Sequence, residues 1–413
     1  MSESIPAKTP AMLSMDEALS YLLAQARPVV EIEQVETRAA LGRVLAQAQI
    51  SSLHVPPLDN SAMDGYAINC ADLAADTGQS LPISQRIPAG TVGGPLKAGT
   101  AARIFTGAPI PPGADAVVMQ EECTAEGDAV TINVKPVAGQ NIRRAGEDIA
   151  TGAEILVPGT RIRPQEMGLA ASVGIAKLPV FRKLRVAMFF TGDEIVMPGE
   201  SLAPGQIYNS NRFSLTGLLQ ALGCEVTDFG IVPDNLEATV EVLQQASQNA
   251  DLVVTSGGVS VGEEDYVKAA VERLGKLEMW RIAMKPGKPL AYGNVNKASF
   301  IGLPGNPVSA LITFCLFVRP FILSCQGVKK VMPRSCMLRA DFEWPKPDKR
   351  REFLRAQLSQ AEDGETTATI FPHQGSGVLT STVWADGVLD IPSGKTVARG
   401  DRVKFISFSE MLY

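Results

Sequence analysis

The sequence predicts a multidomain chain of the α/β plus β class: a central doubly wound α/β domain, a β-rich region before it and a small β-barrel after it. Three observations carry this. The chain has 413 residues, and at roughly 150 residues per domain that is more than one hydrophobic core serves. The hydrophobic period changes near Arg185, from short alternating runs to strand–helix alternation, and changes back near residue 329. The 37 glycines and 28 prolines exceed average usage and predict many tight turns.

Taken in order, Ser14-Met15-Asp16-Glu17 reads as a capping box opening a helix whose Leu19, Leu22 and Leu23 share one face. A second helical stretch is expected from Arg38 to Gln47. From about Ile50 to Gly159, alternating runs at Ile83 to Ile87, Ala101 to Phe105, Ala116 to Gln120 and Val130 to Val134 are separated by Gly- and Pro-rich turns, with no helical period. Strand and helix then alternate: Val186 to Phe190, a leucine stripe from Leu215 to Leu222 closed by Gly223, Val226 to Val232, Leu236 to Ala246, Leu252 to Thr255, Tyr266 to Leu274, Met279 to Met284, Ser299 to Leu303 and a helix from Pro307. Such alternation implies βαβ crossovers and a parallel sheet with helices on both faces. Short strands return at Met337 to Phe342, Phe353 to Leu358, Ala368 to Phe371 and Val403 to Ile406. The expected divisions are 1–50 with 140–180, an inserted β-rich unit 51–139, the α/β domain 181–328 and the barrel 329–413.

Composition narrows function. Apolar residues make up 45% and the formal net charge is −6, so no global basic field exists to hold nucleic acid or an acidic membrane surface. An anionic ligand would need a local cationic pocket. The cysteines at 70, 123, 224, 315, 325 and 336 form no Cys-x-x-Cys clasp, and with only His54 and His373 a structural zinc site is not expected. Scattered thiols and the absence of a secretory pattern at the start point to a cytoplasmic protein. The most apolar window, Val308 to Cys325, is interrupted by Ser309, Thr313 and Arg319-Pro320, which suits a buried helix.

In an open parallel sheet ligands sit beyond the carboxyl ends of the strands. Those segments are polar here: Thr191-Gly192-Asp193-Glu194, Pro233-Asp234-Asn235, Ser256-Gly257-Gly258-Val259-Ser260 and Leu303-Pro304-Gly305-Asn306-Pro307. Gly257-Gly258 would expose consecutive N–H groups to an anion, although an ordinary tight turn has the same residues. Asn306-Pro307 has the chemistry of a helix start. Glu194, Asp234 and Asp265 would each follow a different strand. Two carboxylates ~4 Å apart repel by about 4 kcal/mol at an effective dielectric near 20, which a divalent cation would reverse; magnesium fits, since it bridges carboxylates to phosphate oxygens. Turn formation for Asp234 and helix initiation for Asp265 are the plainer readings. Lys285-Pro286-Gly287-Lys288-Pro289 sets two cations in a stiff loop, where less entropy is lost on meeting an anion.

Together with Gly205-Gln206-Ile207-Tyr208-Asn209-Ser210-Asn211, these segments resemble the MoeA family of molybdopterin molybdenumtransferases, to which the E domain of gephyrin is similar. Asp59-Asn60-Ser61-Ala62-Met63-Asp64-Gly65-Tyr66, Thr106-Gly107-Ala108-Pro109 and Asn141 to Asp148 look like its N-terminal signatures. Arg351-Glu352-Phe353-Leu354-Arg355 and Gln374-Gly375-Ser376-Gly377 look like its last ones. The resemblance implies a MoaB/Mog-like central domain, a dimerising N-terminal region and a cytosolic enzyme. That enzyme takes adenylylated molybdopterin, inserts molybdate at the dithiolene sulfurs and releases AMP with Mg2+ present. It places the pterin and metal carboxylates on Glu194, Asp234 and Asp265, with Lys285 and Asp64 joining them in catalysis. Thr191, Gly192, Asp193, Ser256, Gly257, Gly258, Ser260, Lys288, Asp59, Thr106 and Asp148 fall at binding positions, and Pro304, Pro307, Arg351 and Ser376 on the molybdate side. Arg281 stands where the family can carry lysine.

The same resemblance implies a homodimer whose Asp59 to Tyr66 loop completes the partner's site, and makes the molybdopterin adenylyltransferase a candidate partner. Two other readings compete. A molybdopterin adenylyltransferase or CinA-like nucleotide pyrophosphatase would share only the α/β module; the former carries Gly-Gly-Thr-Gly where this chain has Gly257-Gly258-Val259-Ser260. A gephyrin-like scaffold would not require the carboxylates and lysines around the expected pocket.

Overall fold

The computed structural model describes residues 12–73, 78–258 and 266–412. The first helix, Met15–Ala24, opens on the capping box read from the sequence: Ser14 N donates to the Glu17 carboxylate at 2.9 Å, and Glu17 N donates to Ser14 Oγ at 3.2 Å. Its Met15, Ala18, Leu19 and Leu22 are buried against the last long helix of the α/β domain. The expected helix from Arg38 to Gln47 does not form. A single 3-10 turn, Thr37–Ala39, is followed by Gly42 at φ 75, which no α-helix accommodates. Val44 and Leu45 instead bridge to Arg161 and Val180.

Two short ladders, Ile32–Glu36 with Lys177–Phe181 and Gln49–Ile50 with Glu154–Leu156, join segments on either side of the β-rich stretch. Within that stretch a six-stranded sheet runs in the order Ala116–Met119, Gly65–Ile68, Ala101–Ile104, Gln79–Ile87, Ala129–Ile132, Cys123–Glu126. Gly65–Ile68 is buried on both faces, Tyr66 and Ile68 in one apolar cluster and Ala67 in another.

The α/β sheet is mixed, not wholly parallel as expected. Its order is Glu225–Val232, Arg185–Thr191, Leu252–Ser256, Ala298–Leu303, Pro289–Val295, Gly275–Arg281. The first four strands pair in parallel, and Pro289–Val295 pairs antiparallel with its neighbours on both sides. Pro289–Val295 opens on proline and contains Gly293-Asn294, turn chemistry that hid it; pairing on both sides holds it extended. The strand before it ends at Arg281, not Met284. Strand alternation builds two cores. Val186, Met188 and Phe190 pack with Leu215, Leu219 and the Pro307–Thr313 helix, whereas Ala187 and Phe189 pack with Val240, Leu243 and Val271. Each buried phenylalanine contributes about 1.5–3 kcal/mol.

The apolar segment Pro307–Cys325 is 89% buried over its most hydrophobic window and is a core helix. It widens to a π turn at Phe314–Val318, where Pro320 has no N–H for the carbonyl one turn back. The C-terminal strands Arg351–Gln360, Thr366–Ile370, Cys336–Ala340, Arg402–Ser407 and Gly387–Ile391 close into a barrel, since Arg351–Gln360 pairs with both Thr366–Ile370 and Gly387–Ile391. Gly387–Ile391 is a strand the sequence reading did not contain. Met284–Lys285 pairs in parallel with Arg351 and Glu352, tying the α/β domain to the barrel.

Candidate active site

The carboxyl ends of the parallel strands meet as turns. Thr191 is buried, and beyond it Glu194 folds back until its Oε2 lies 2.6 Å from where a Cβ on Gly192 would stand. After Leu252–Ser256 come Gly257 and Gly258, at φ 95 and 62. A Cβ on Gly258 would meet Val267 Cγ2 at 2.6 Å and Thr191 Oγ1 at 2.9 Å, so sterics as well as backbone conformation demand glycine. The third turn, Pro304-Gly305-Asn306, lies against the second. Gly257 N donates to Leu303 O at 3.2 Å, and a Cβ on Gly305 would touch Gly257 Cα at 3.8 Å. Asn306 precedes the helix as expected, but its side chain makes no cap; Val308 N instead donates to Ser376 O of the barrel at 2.9 Å.

Between these turns and the barrel is a cavity of about 350 Å³ lined by Lys285, Lys288, Pro304, Asn306, Arg350 and Ser376, among others. Lys285 Nζ is 3.0 Å from Glu352 Oε1 and 3.7 Å from Asp348 Oδ2. Glu352 is buried, and its other oxygen accepts from Trp344 Nε1 at 2.7 Å. Arg350 holds Asp348 through both carboxylate oxygens at 3.0 and 2.9 Å. That bidentate pair drives the Asp348 carboxyl far below the usual range and raises Arg350. Among the described residues Lys288 makes no ion pair, so its charge is available to a ligand.

Arg351 does not reach this cavity. Successive strand residues face opposite ways, and the Arg351 guanidinium donates to both oxygens of Asp390 at 2.6 Å and lies 3.2 Å from Asp16. It lines a separate cleft of about 1010 Å³ between the first helix and the barrel. Arg350, which the sequence analysis does not single out, lines the cavity together with Ser376. Arg355 was missed too. Fully buried, it donates to Ser381 Oγ at 3.0 Å and Gly375 O at 3.1 Å, while its backbone N–H donates to Gln374 Oε1 at 2.9 Å. Burial without a carboxylate partner pushes it down to about 10. It anchors the loop that carries Ser376.

Residues 13–174 match the family described as MoeA N-terminal region (domain I and II), and residues 337–408 match MoeA C-terminal region (domain IV). Residues 187–324, which supply the three turns, match the family described as probable molybdopterin binding domain. The chain belongs to the MoeA family. A protein of Haemophilus influenzae named molybdopterin molybdenumtransferase is 40% identical over 97% of this chain and 100% of its own length. One of Mycobacterium tuberculosis, named molybdopterin molybdenumtransferase 2, is 37% identical over 91% and 93%. A solved molybdopterin biosynthesis MoeA protein of Pyrococcus horikoshii superposes with a TM-score of 0.81 at 30% identity, covering 96% of this chain and 100% of that one. Matches to the N- and C-terminal MoeA regions leave no room for a protein built from the α/β module alone.

The N-terminal MoeA signatures form their own cluster. Asp59 accepts from Ala145 N at 2.8 Å and from Arg144 at 2.6 Å, and Asp64 accepts from Thr106 N and Oγ1 at 2.7 and 2.8 Å. These bonds hold both carboxyls below their ordinary values. Asp148 is tied by its backbone N–H to Val55 O at 3.0 Å. Among the described residues, no hydrogen bond or ion pair joins Asp59 or Asp64 to the glycine turns. Asp265 and Ser260 lie outside the described residues. Glu194 and the half-buried Asp234 follow adjacent parallel strands, and Pro307 opens the helix after the third turn. Among the described residues no three His, Cys, Asp or Glu side chains gather as a metal site.

Proposed function

We propose that this chain, an enzyme of molybdenum cofactor biosynthesis like its relatives, transfers molybdenum to molybdopterin presented as the adenylylated pterin, with release of AMP. The observation that carries the reading is the cavity where Lys285, Lys288 and Arg350 converge beside Pro304 and Ser376, within an acidic protein. Molybdate is a tetrahedral dianion. A guanidinium, two ammonium groups and a hydroxyl in a part-enclosed space suit it, because fixed donors bind an oxyanion without reorganising. The phosphates would lie at the left-handed Gly257-Gly258 turn, where Leu303 O already takes the Gly257 N–H, and Gly305 borders both places. Lys285, paired with Glu352, would steady charge on the leaving AMP phosphate.

Glu194, Asp234 and Asp265 are the residues that would hold Mg2+. Carboxylates at neighbouring strand ends are the hard oxygen donors it takes, and the ion would shield the phosphate charge. The described members do not close a site by themselves. We further propose a homodimer in which Asp64 and its Thr106 support complete the partner's site, with the adenylyltransferase handing over substrate. Six free cysteines suit a cytoplasmic setting.

The test is AMP release by purified protein given adenylylated molybdopterin, molybdate and Mg2+. Molybdate-dependent release is expected; none, with folded protein and intact substrate, would overturn the reading. For shared sites, Asp64→Ala and Glu194→Ala subunits, each inactive alone, should recover activity when mixed and exchanged.

A further inference from the structure

We infer that Asn211 is a positioning residue: its buried carboxamide locks together the turn after Leu252–Ser256 and the turn after Ala298–Leu303. The inference rests on the function proposed above, in which one turn meets the phosphates and the other borders the oxyanion cavity.

Asn211 is the second residue of the helix Ser210–Ala221, whose start is fixed by Asn209 accepting from Arg212 N. From there its Nδ2 donates to Ser256 Oγ at 2.7 Å and to Gly305 O at 2.7 Å, and Ser256 Oγ donates onward to Pro304 O at 2.9 Å. The direction of each bond follows from chemistry. A backbone carbonyl only accepts, so the amide nitrogen must face Gly305; Ser256 gives its one proton to Pro304 and must accept from Asn211. Asn211 and Ser256 are 9% and 4% exposed, so water does not substitute for these bonds, and a donor lost here leaves buried acceptors unpaired. Beyond the strand ladder, the turns share the Gly257 N to Leu303 O bond of 3.2 Å. The carboxamide adds two shorter links from a third element, making a frame of helix and two turns. It offers donors without charge, so it fixes the frame without competing for the anion.

Asn211→Asp keeps shape but turns a lone pair toward Gly305 O. The groups facing it are a hydroxyl and carbonyls, which do not titrate between pH 6 and 8, and the neighbouring Arg212 is paired with Asp228 at 2.6 Å. In the variant the KM for adenylylated molybdopterin should rise at least tenfold at pH 8. The defect should shrink toward pH 6, as a protonated acid regains a donor. Hydrogen exchange at residues 257–258 and 305 should quicken about tenfold while the barrel is unchanged. Ser256→Ala and Asn211→Ala should each show the same exchange change, and the double variant should be no worse than either, as for groups acting as a unit. Wild-type KM and unchanged exchange in Asn211→Asp and Ser256→Ala would overturn the inference, as would faster exchange throughout the molecule with no pH dependence. If wild-type protein releases no AMP, the proposed function fails, while exchange still judges the clamp.

Discussion

Two cavities share the strand edge at Arg350 and Arg351, and the smaller is the better candidate. The cleft between the first helix and the barrel is roughly three times the volume of the cavity beside the glycine turns. Its central guanidinium, however, is already neutralised: Asp390, 4% exposed, accepts from Arg351 on both oxygens and also lies 3.3 Å from Lys404. In the smaller cavity Arg350 and Lys285 are likewise paired, with Asp348 and Glu352, but among the described residues Lys288 makes no ion pair, and it lies beside the Pro304-Gly305-Asn306 turn. What favours the smaller cavity is a set of cations beside the strand-end turns and Ser376, not space.

Single-cation deletions break or confirm that contrast most sharply. Lys288→Ala should lower AMP release by about 10²-fold, the scale of losing one preorganised donor to an oxyanion, with an unchanged thermal midpoint since Lys288 is exposed. Lys395→Ala, in the cleft, should stay within twofold; equal losses would dissolve the distinction. Glycine substitutions come next. Gly258→Ala adds a clash with Val267 to a positive φ and should cost about 2–3 kcal/mol, read by denaturant unfolding. Gly394→Ala, beside the cleft at φ 74 with nothing within 4 Å, should cost about 1 kcal/mol from backbone strain alone.

Acid titration gives a smaller effect of known sign. The Asp348 carboxyl is depressed by its bond to Arg350, so the pair's contribution is complete above the unfolded value near 3.8 and is lost as pH falls through the lower folded value. Asp348→Asn should therefore destabilise by about 1 kcal/mol at pH 7, the difference closing below pH 3.8. Asp16→Asn, on the exposed rim of the cleft, should change stability by a few tenths of a kcal/mol. Least of all, a bulky maleimide on exposed Cys336, next to the cleft residue Met337, should leave AMP release within twofold. Burial pushes Cys224, Cys315 and Cys325 up to about 12 and Cys70 and Cys123 up to about 11, so Cys336 should label first at pH 7.5.

Much of the fold was legible because its signals are local. The Ser14 to Glu17 cap, the leucine stripe ending at Gly223 and the short alternating strands each depend on near neighbours in the chain. The failures are where distant partners decide. Val44 and Leu45 leave a helical pattern to pair with Arg161 and Val180, and Pro289–Val295 is a strand because two others flank it. In the site, the glycine turns and the stiff Lys285 loop were legible as turn chemistry at strand ends, because glycine and proline act locally. Arg351 stands apart from the smaller cavity because a strand's phase is fixed by pairing: Met284↔Arg351 and Lys285↔Glu352 set which face each side chain takes. Arg350, Arg355 and Asn211 become readable only when a barrel strand, a loop and a helix start are brought together.

The most direct test is molybdate binding by equilibrium dialysis to wild-type protein, Arg350→Ala and Arg351→Ala, all checked for folding. The geometry predicts at least a tenfold weaker Kd for Arg350→Ala and a value within twofold of wild type for Arg351→Ala. The reverse order, with Arg350→Ala unaffected and Arg351→Ala impaired, would contradict the placement of the oxyanion beside Lys285, Lys288 and Ser376.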